Sequence, residues 1–223
     1  MPDGSLIFAF AHDLRGYLRT SLTRIQLAKQ ELAEDSQGLQ WLRESELAAK
    51  SGGRLLDAMV AFSDVRHSEE TIALSLLIRG VLLELKKSLE AASVLVSETP
   101  KVQVPYAVQA VLRELLDNSV KFQDFSRPLE IRIDCSVEVS GCVRVVVTDN
   151  GTGVEIGMEE KIFLPFERLH DRTRYPGFGL GLAHNRKVVE IYGGKIVAAS
   201  SNPGGLRVEI SLPEAVCFGA SIA

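Results

Sequence analysis

Apolar and small residues return at alternating spacings of four and three through Ile7, Ala11, Leu14, Leu18, Ser21, Ile25, Ala28 and Leu32. That rhythm is the heptad signature of a helix with one sticky seam. The polar stretch EDSQG at 34–38 supplies turn residues and a glycine that reads as a helix stop. The rhythm then resumes at Trp41, Ser45, Ala48, Gly52, Leu55, Met59 and Phe62, with Gly52-Gly53 as a local weak point. Two helices and a turn are therefore predicted between about residues 5 and 66. One hairpin cannot cover its own stripe, whereas two copies packed as a four-helix bundle can, so the pattern predicts a homodimer.

From about residue 70 the pattern becomes mixed. IALSLLIRGVLLELKKSLEAA has helical spacing, SVLVSET is a short strand candidate, and 107–122 is an amphipathic helix. LEIRIDCSVEV and CVRVVVTD alternate and are β-branched, which predicts neighbouring antiparallel strands joined near Ser140-Gly141. A glycine-rich stretch leads into a helix from about 179 to 192, and GKIVAAS and GLRVEISL make two closing strands around SNPGG. The fold class expected is α+β: a helical hairpin at 1–68, then a domain at 69–223 with helices on one face of a sheet.

Composition narrows the function classes. The net charge of −4 excludes a general binder of nucleic acid or anionic membranes. No apolar stretch approaches a bilayer span, so direct membrane insertion is not expected. Cys135, Cys142 and Cys217 have no metal-ligand spacing and are odd in number, which favours a reducing, cytoplasmic setting. His67, His170 and His184 have no motif partners, and Trp41 and Tyr192 are expected to pack.

Three stretches carry candidate chemistry. In VLRELLDNSVKF, Val108, Val111, Leu115 and Phe122 point to a core, while Glu114, Asn118 and Lys121 share another face at i, i+4 and i+7. Oxygens of Glu and Asn can ligate Mg²⁺ and an ammonium can neutralise phosphate. Taken alone, this helix favours the blander reading, a solvated face with ordinary charged residues. Next, a buried strand ends at Asp149, followed by Asn150, Gly151, Thr152 and Gly153. A carboxylate there can accept the exocyclic amine of adenine while glycines let the backbone approach a ring. Finally, GFGLGL, with Gly177, Gly179, Leu180 and Gly181, opens a helix whose N-terminal amides suit phosphate. Between the last two lies KIFLPFERLHDRTRYPG, in which Phe163 and Phe166 can anchor a segment by packing and HDRTRYPG has the composition of a mobile cover.

In this order and spacing the stretches resemble the N, G1, F and G2 boxes of the Bergerat (GHKL) ATP-binding fold of sensor histidine kinases. AFAHDLRGYL then resembles the phospho-acceptor H-box, so the likeness covers roughly residues 5–213. The resemblance implies ATP and Mg²⁺ as cofactors, with Asn118 and Glu114 toward the metal, Lys121 toward phosphate and Asp149 toward the adenine amine. It places Gly151 and Gly153 at the base, Phe166 and Arg168 near the nucleotide, and Gly177, Gly179, Leu180 and Gly181 at the end of a short, phytochrome-like lid. It makes His12 the nucleophile and Asp13 its base, and it implies transfer onward to an aspartate of a response-regulator receiver domain. An upstream sensor domain or a separate sensor subunit, outside this chain, is the implied source of the signal. Two other readings stay open: a GHKL ATPase that hydrolyses ATP with Glu114 as base, and a degenerate scaffold or phosphotransfer adaptor. The chain departs from the family pattern at Tyr17, where proline is common, at Gly16, where phosphatases carry Thr or Asn, and at Phe178, where a small hydroxyl residue is usual.

Overall fold

A computed structural model of the chain describes residues 4–34, 36–169, 175, 177–201 and 204–213, with the backbone alone over 4–10. The chain forms two compact units, Met1–Asp64 and Val65–Ala223.

The first unit is a hairpin of α1 (Gly4–Glu31) and α2 (Gln37–Ser63). Ser36 is the N-cap of α2, its Oγ accepting a hydrogen bond from the Leu39 N–H at 3.2 Å. Gly38 therefore lies in the first turn of α2 and does not end α1, because the stronger cap two residues earlier sets the start. The seam also differs from the one predicted. The less exposed positions are Ala11, Arg15, Leu18, Leu22, Ile25 and Lys29 in α1, and Leu39, Leu42, Glu46, Ala49, Leu56 and Val60 in α2. In the first half of α2 this heptad runs one residue after the predicted one, leaving Trp41, Ser45 and Ala48 exposed, whereas the predicted Gly52, Leu55 and Phe62, like Ala28 in α1, are partly buried beside it. Trp41, expected to pack, is 61% exposed in the single chain. Ion pairs explain the slip: Arg15 binds Asp57 at 2.7 Å, and Glu46 binds Lys29 at 2.7 Å and Lys50 at 2.6 Å. Part of the inner face is thus charged, which an apolar count cannot see.

The second unit begins with the short strand β1 (Thr71–Ala73), α3 (Leu74–Glu84), β2 (Ser93–Val96) and β3 (Gln103–Pro105). It continues through α4 (Val108–Lys121), β4 (Glu130–Val137), β5 (Val143–Asp149), a 3-10 turn (Lys161–Phe163), α5 (Gly181–Ile191), β6 (Lys195–Ser200) and β7 (Leu206–Leu212). The predicted long helix stops at Glu84, yet Leu85 and Leu89 remain buried, so irregular turns preserve the helical spacing. Strands β1 and β3 pair with each other and are too short to show a period.

The main sheet has the order β2-β4-β5-β7-β6, antiparallel except for β2 beside β4. Ile131 and Ile133 of β4 are buried while Glu130 and Arg132 are exposed, and Val208, Ile210 and Leu212 repeat the alternation in β7. The buried side meets Leu74, Leu77 and Val81 of α3, Val108, Val111, Leu112, Leu115 and Leu116 of α4, and Val188 and Val189 of α5. Arg144, Glu209 and Arg207 link the more exposed strand positions through ion pairs. The architecture is a helical N-terminal region followed by a mixed α/β sheet domain, as the pattern required.

Candidate functional site

Helix α4 carries the polar face, and its apolar rows fix where that face points. With Val108, Val111, Leu112, Leu115 and Leu116 buried, Glu114, Asn118 and Lys121 fall together at the helix edge, all half-buried. The Asn118 amide donates to Glu114 Oε1 at 3.3 Å, which leaves its own oxygen for a cation. Burial, reinforced by the nearby charge of Asp117, holds the Glu114 carboxyl above the usual carboxylate range. Burial lowers the Lys121 ammonium, and Arg168 lowers it further, as two cations aimed at one place must.

The glycine loop passes directly over this face. A Cβ on Gly181 would lie 1.9 Å from Glu114 Oε1, and one on Gly177 would lie 2.9 Å from Lys121 Nζ. Gly179 has φ +72 and the backbone of Glu167 only 2.6 Å from where its Cβ would stand. Leu180, buried, is the N-cap of α5. Arg168 donates to the carbonyls of Tyr175 and Gly177, clasping the loop from the other side.

At the end of β5, Asp149 Oδ1 accepts from Gly151 N at 2.9 Å and Leu206 N at 3.1 Å, while Oδ2 faces Ser119 Oγ at 3.0 Å. Ser119 has one proton to share between Asp149 and the Leu115 carbonyl at 3.1 Å. Gly151 and Gly153 are required by close backbone approach. Their Cβ atoms would meet the Phe122 carbonyl at 2.5 Å and the Gly205 carbonyl at 2.7 Å. Asn150, by contrast, staples the loop, accepting from Glu130 N and donating to the Pro128 carbonyl at 2.9 Å each.

The structure thus brings Glu114, Asn118, Lys121, Arg168, Gly177 and Gly181 together, and joins Asp149, Gly151 and Gly153 to the same helix through Ser119 and Phe122. Two expectations need correction. Phe163 anchors its segment, buried under the Arg186 guanidinium at 4.4 Å, but Phe166 does not. Phe166 is 54% exposed with φ 67, because its N–H reaches the Gly179 carbonyl at 2.8 Å and turns the ring outward. Phe122 is the C-cap of α4 and leaves the helical phase, so its half-exposed ring packs on Tyr175 (4.9 Å between centroids) and under Lys121 Nζ (4.7 Å). Ser119 and Tyr175 escaped the sequence reading; a lone serine in the buried row 108-111-112-115-116-119 was the available signal for the first. Residues 170–174 and 176, the bulk of the expected lid, lie outside the described residues, as does Cys217.

His12 and Asp13 belong to the first unit. The imidazole side chain is 88% exposed, and its Nδ1 stands 3.2 Å from Asp13 Oδ1. A carboxylate can only accept, so a hydrogen bond here requires the proton on Nδ1, the tautomer of the neutral ring whose lone pair is on Nε2. Gly16, one turn on, has open space around it.

Among the described residues no group of three or more His, Cys, Asp or Glu side chains forms a metal cluster, and no helix is long and apolar enough to cross a membrane.

Residues 103–216 match the sequence profile of the family described as histidine kinase-, DNA gyrase B-, and HSP90-like ATPase. Among full-length relatives, the sensor histidine kinase GtrS of Pseudomonas aeruginosa is 29% identical over 94% of this chain and 42% of its own length. The sensor protein KdpD of Escherichia coli is 28% identical over 94% of the chain and 24% of its own length. The adaptive-response sensory kinase SasA of a Synechococcus strain is 30% identical over 88% and 56%. The chain therefore spans between about a quarter and just over half of these curated relatives. Full-length ShkA, solved in complex with AMPPNP, superposes with a TM-score of 0.71 at 18% identity, covering 95% of this chain and 46% of that one. The mycobacterial sensor histidine kinase MprB gives 0.57 at 24% identity over 65% of this chain and 96% of that one. These likenesses carry the fold alone, and the profile match carries the family. The chain belongs to the histidine kinase-, DNA gyrase B-, and HSP90-like ATPase family, and its curated relatives there are sensor histidine kinases.

Proposed function

We propose that the chain is an ATP-dependent protein-histidine kinase that phosphorylates His12 and passes the phosphoryl group to an aspartate of a response-regulator receiver domain. The observation that carries this reading is the coexistence, in one chain, of two prepared sites. One is an exposed imidazole with its Nδ1–H held by Asp13. The other is a loop of glycines over an acid, an amide and two cations.

The donor set fits Mg²⁺: Asn118 Oδ1 and a Glu114 oxygen are hard ligands, and phosphate oxygens and water complete such sites. Mg²⁺, when bound, neutralises charge on the phosphates and aligns them. Asp149 keeps one acceptor position beyond its bonds to Gly151, Leu206 and Ser119 for the adenine amine. Lys121 and Arg168 hold the phosphates, which relieves their mutual repulsion. His12 Nε2 attacks the γ-phosphorus in line, Asp13 stabilises the positive charge that grows on the ring, and ADP leaves. The exposed apolar residues of the hairpin, Leu14, Tyr17, Leu27, Trp41, Leu47 and Met59 among them, offer the surface on which a second copy would close a homodimer.

The test is incubation with γ-labelled ATP and Mg²⁺, followed by acid treatment. The expected result is an acid-labile label on the wild type and none on His12→Gln. Label retained by His12→Gln, or a wild type that binds nucleotide and stays unlabelled, sinks the reading. A second reading, ATP hydrolysis with Glu114 activating water, is favoured by the raised carboxyl of Glu114. It predicts phosphate release that survives His12→Ala and is lost in Glu114→Gln.

A further inference from the structure

Helix α2 runs to Ser63, Asp64 is its C-cap, and Val65 already packs against the core of the second unit. Residues 65–73 then form a strap along that unit. Ser68 Oγ accepts from Glu70 N at 3.2 Å, the Tyr106 N–H reaches the Glu70 carbonyl at 2.8 Å, and β1 pairs with β3.

One side chain grips this strap from inside. Tyr192, the C-cap of α5, is 3% exposed, and its hydroxyl uses both of its roles on a single residue. It accepts from the Ser68 N–H at 3.1 Å and donates to the Ser68 carbonyl at 3.2 Å. Its ring lies against the His67 ring with 4.8 Å between centroids. Behind it the chain is fixed. Gly193 takes φ +68 and donates to the Glu190 carbonyl, and Gly194 donates to the Val189 carbonyl. A Cβ on Gly194 would lie 2.5 Å from the Ser211 carbonyl of β7, so the glycine lets the helix end seat on the sheet.

The other end of α5 is Gly181, against Glu114. One eleven-residue helix therefore joins the phosphate loop to the strap. Rigid helices transmit displacement between their ends, and a shift at one terminus reaches groups bonded to the other.

We propose that Tyr192 is a positioning residue for phosphoryl transfer. It latches the strap to the C-terminal end of α5, the helix whose N-terminal end, at Gly181, shapes the glycine loop over Glu114. The kinetic part of this proposal rests on the histidine-kinase reading; the latch itself does not.

The experiment uses the full chain and Tyr192→Phe, which removes both hydrogen bonds and keeps the ring. Amide exchange of residues 65–70 reads the latch and is expected to quicken about tenfold, the effect of losing one to two modest hydrogen bonds. His67→Ala, which removes the ring contact from the strap side, is expected to quicken the same segment without touching the core. For autophosphorylation, the KM for ATP is expected to stay within about twofold while kcat falls about fivefold in Tyr192→Phe. Unchanged exchange of the strap overturns the latch. A loosened strap with unchanged kcat, or KM and kcat degraded together, overturns the positioning role. An unlabelled wild type overturns the kinase reading and the kinetic role with it, and the latch is then decided by the exchange measurement alone.

Discussion

Alanine at Gly181 tests how closely the phosphate loop and α4 are fitted to one another. Gly181 opens α5 without a left-handed φ, so the backbone accepts alanine, and helix propensity alone favours the change by up to about 1 kcal/mol. Against this stands the new methyl, 1.9 Å from Glu114 Oε1, 2.6 Å from Cδ and 3.2 Å from Cγ. The first contact is roughly 1.5 Å inside van der Waals distance, so the carboxylate must swing away. Swinging breaks the Asn118–Glu114 hydrogen bond and moves a half-buried acid among neighbours already placed. The obstructing atoms are the end of a flexible side chain, so the cost is chiefly the lost hydrogen bond and the displaced half-buried acid, about 1–2 kcal/mol, and Gly181→Ala should destabilise the second unit by up to about 1 kcal/mol. With Glu114→Ala in place the obstruction is gone, and Gly181→Ala should stabilise by a few tenths to about 1 kcal/mol. The sign therefore reverses between the two backgrounds, with a coupling of about 1–1.5 kcal/mol. Scanning calorimetry of the four proteins resolves the transition of the second unit. Effects that add to within about 0.5 kcal/mol refute the fitted contact.

Three further outcomes follow from the geometry. Glu114 has its carboxyl raised by burial and Asp117, so its protonated form suits the fold; the associated stability is present below the ordinary carboxylate value and fades as pH rises through the folded one. Glu114→Gln should thus melt above the wild type at pH 7 and level with it near pH 4, and a gap that widens in acid refutes the burial argument. Glu46 is the opposite case. Lys29 and Lys50 hold its carboxyl at about 2, so the hairpin should lose stability as pH falls from about 4.5 toward 2, a loss that Glu46→Gln should flatten in an acid titration followed by circular dichroism. Phe166→Asn should keep or raise the melting temperature, by up to about 1 kcal/mol of stability, because asparagine tolerates the left-handed φ that the exposed phenylalanine holds at a cost; a fall of the same size means the ring is packed.

The grouping of the motif residues in the second unit was legible because each motif repeats a physical requirement. Acid, amide and ammonium at i, i+4 and i+7 fall on one helix edge whatever surrounds them, and the buried rows of α4 could only turn that edge outward. The glycines, read as making room for a ring and a phosphate, also make room for the protein itself: virtual Cβ atoms on Gly151, Gly153, Gly177 and Gly181 each meet a protein atom within 3 Å. What stayed hidden was set by partners far along the chain. Ser119 gains its meaning only from Asp149, thirty residues on, and Phe122 leaves the core because α4 ends one residue before it. The short pair β1 and β3 and the strap gripped by Tyr192 likewise depend on contacts that no local period records.

The hairpin is the clearest case of pattern and packing diverging, and the divergence bears on His12. The face that α1 and α2 turn to each other carries Arg15, Lys29 and Glu46 among its leucines, while Leu14, Tyr17, Trp41 and Met59 remain exposed. Covering a row of that size contributes about 1.5–3 kcal/mol for each large side chain fully buried, which a second copy of the same surface can supply. Helical geometry then decides what becomes of the imidazole. At about 100° per residue, His12 lies about 100° to one side of Ala11, whereas Leu14 and Tyr17 lie about 60° and 120° to the other. Ala11 marks the inner face, at 3% exposure, and Leu14 and Tyr17 mark the outer row. The imidazole is therefore turned away from both. Under the proposed kinase reading, a dimer closed over Leu14 and Tyr17 would leave His12 in solvent, the condition under which a phosphoryl group could be received and handed on.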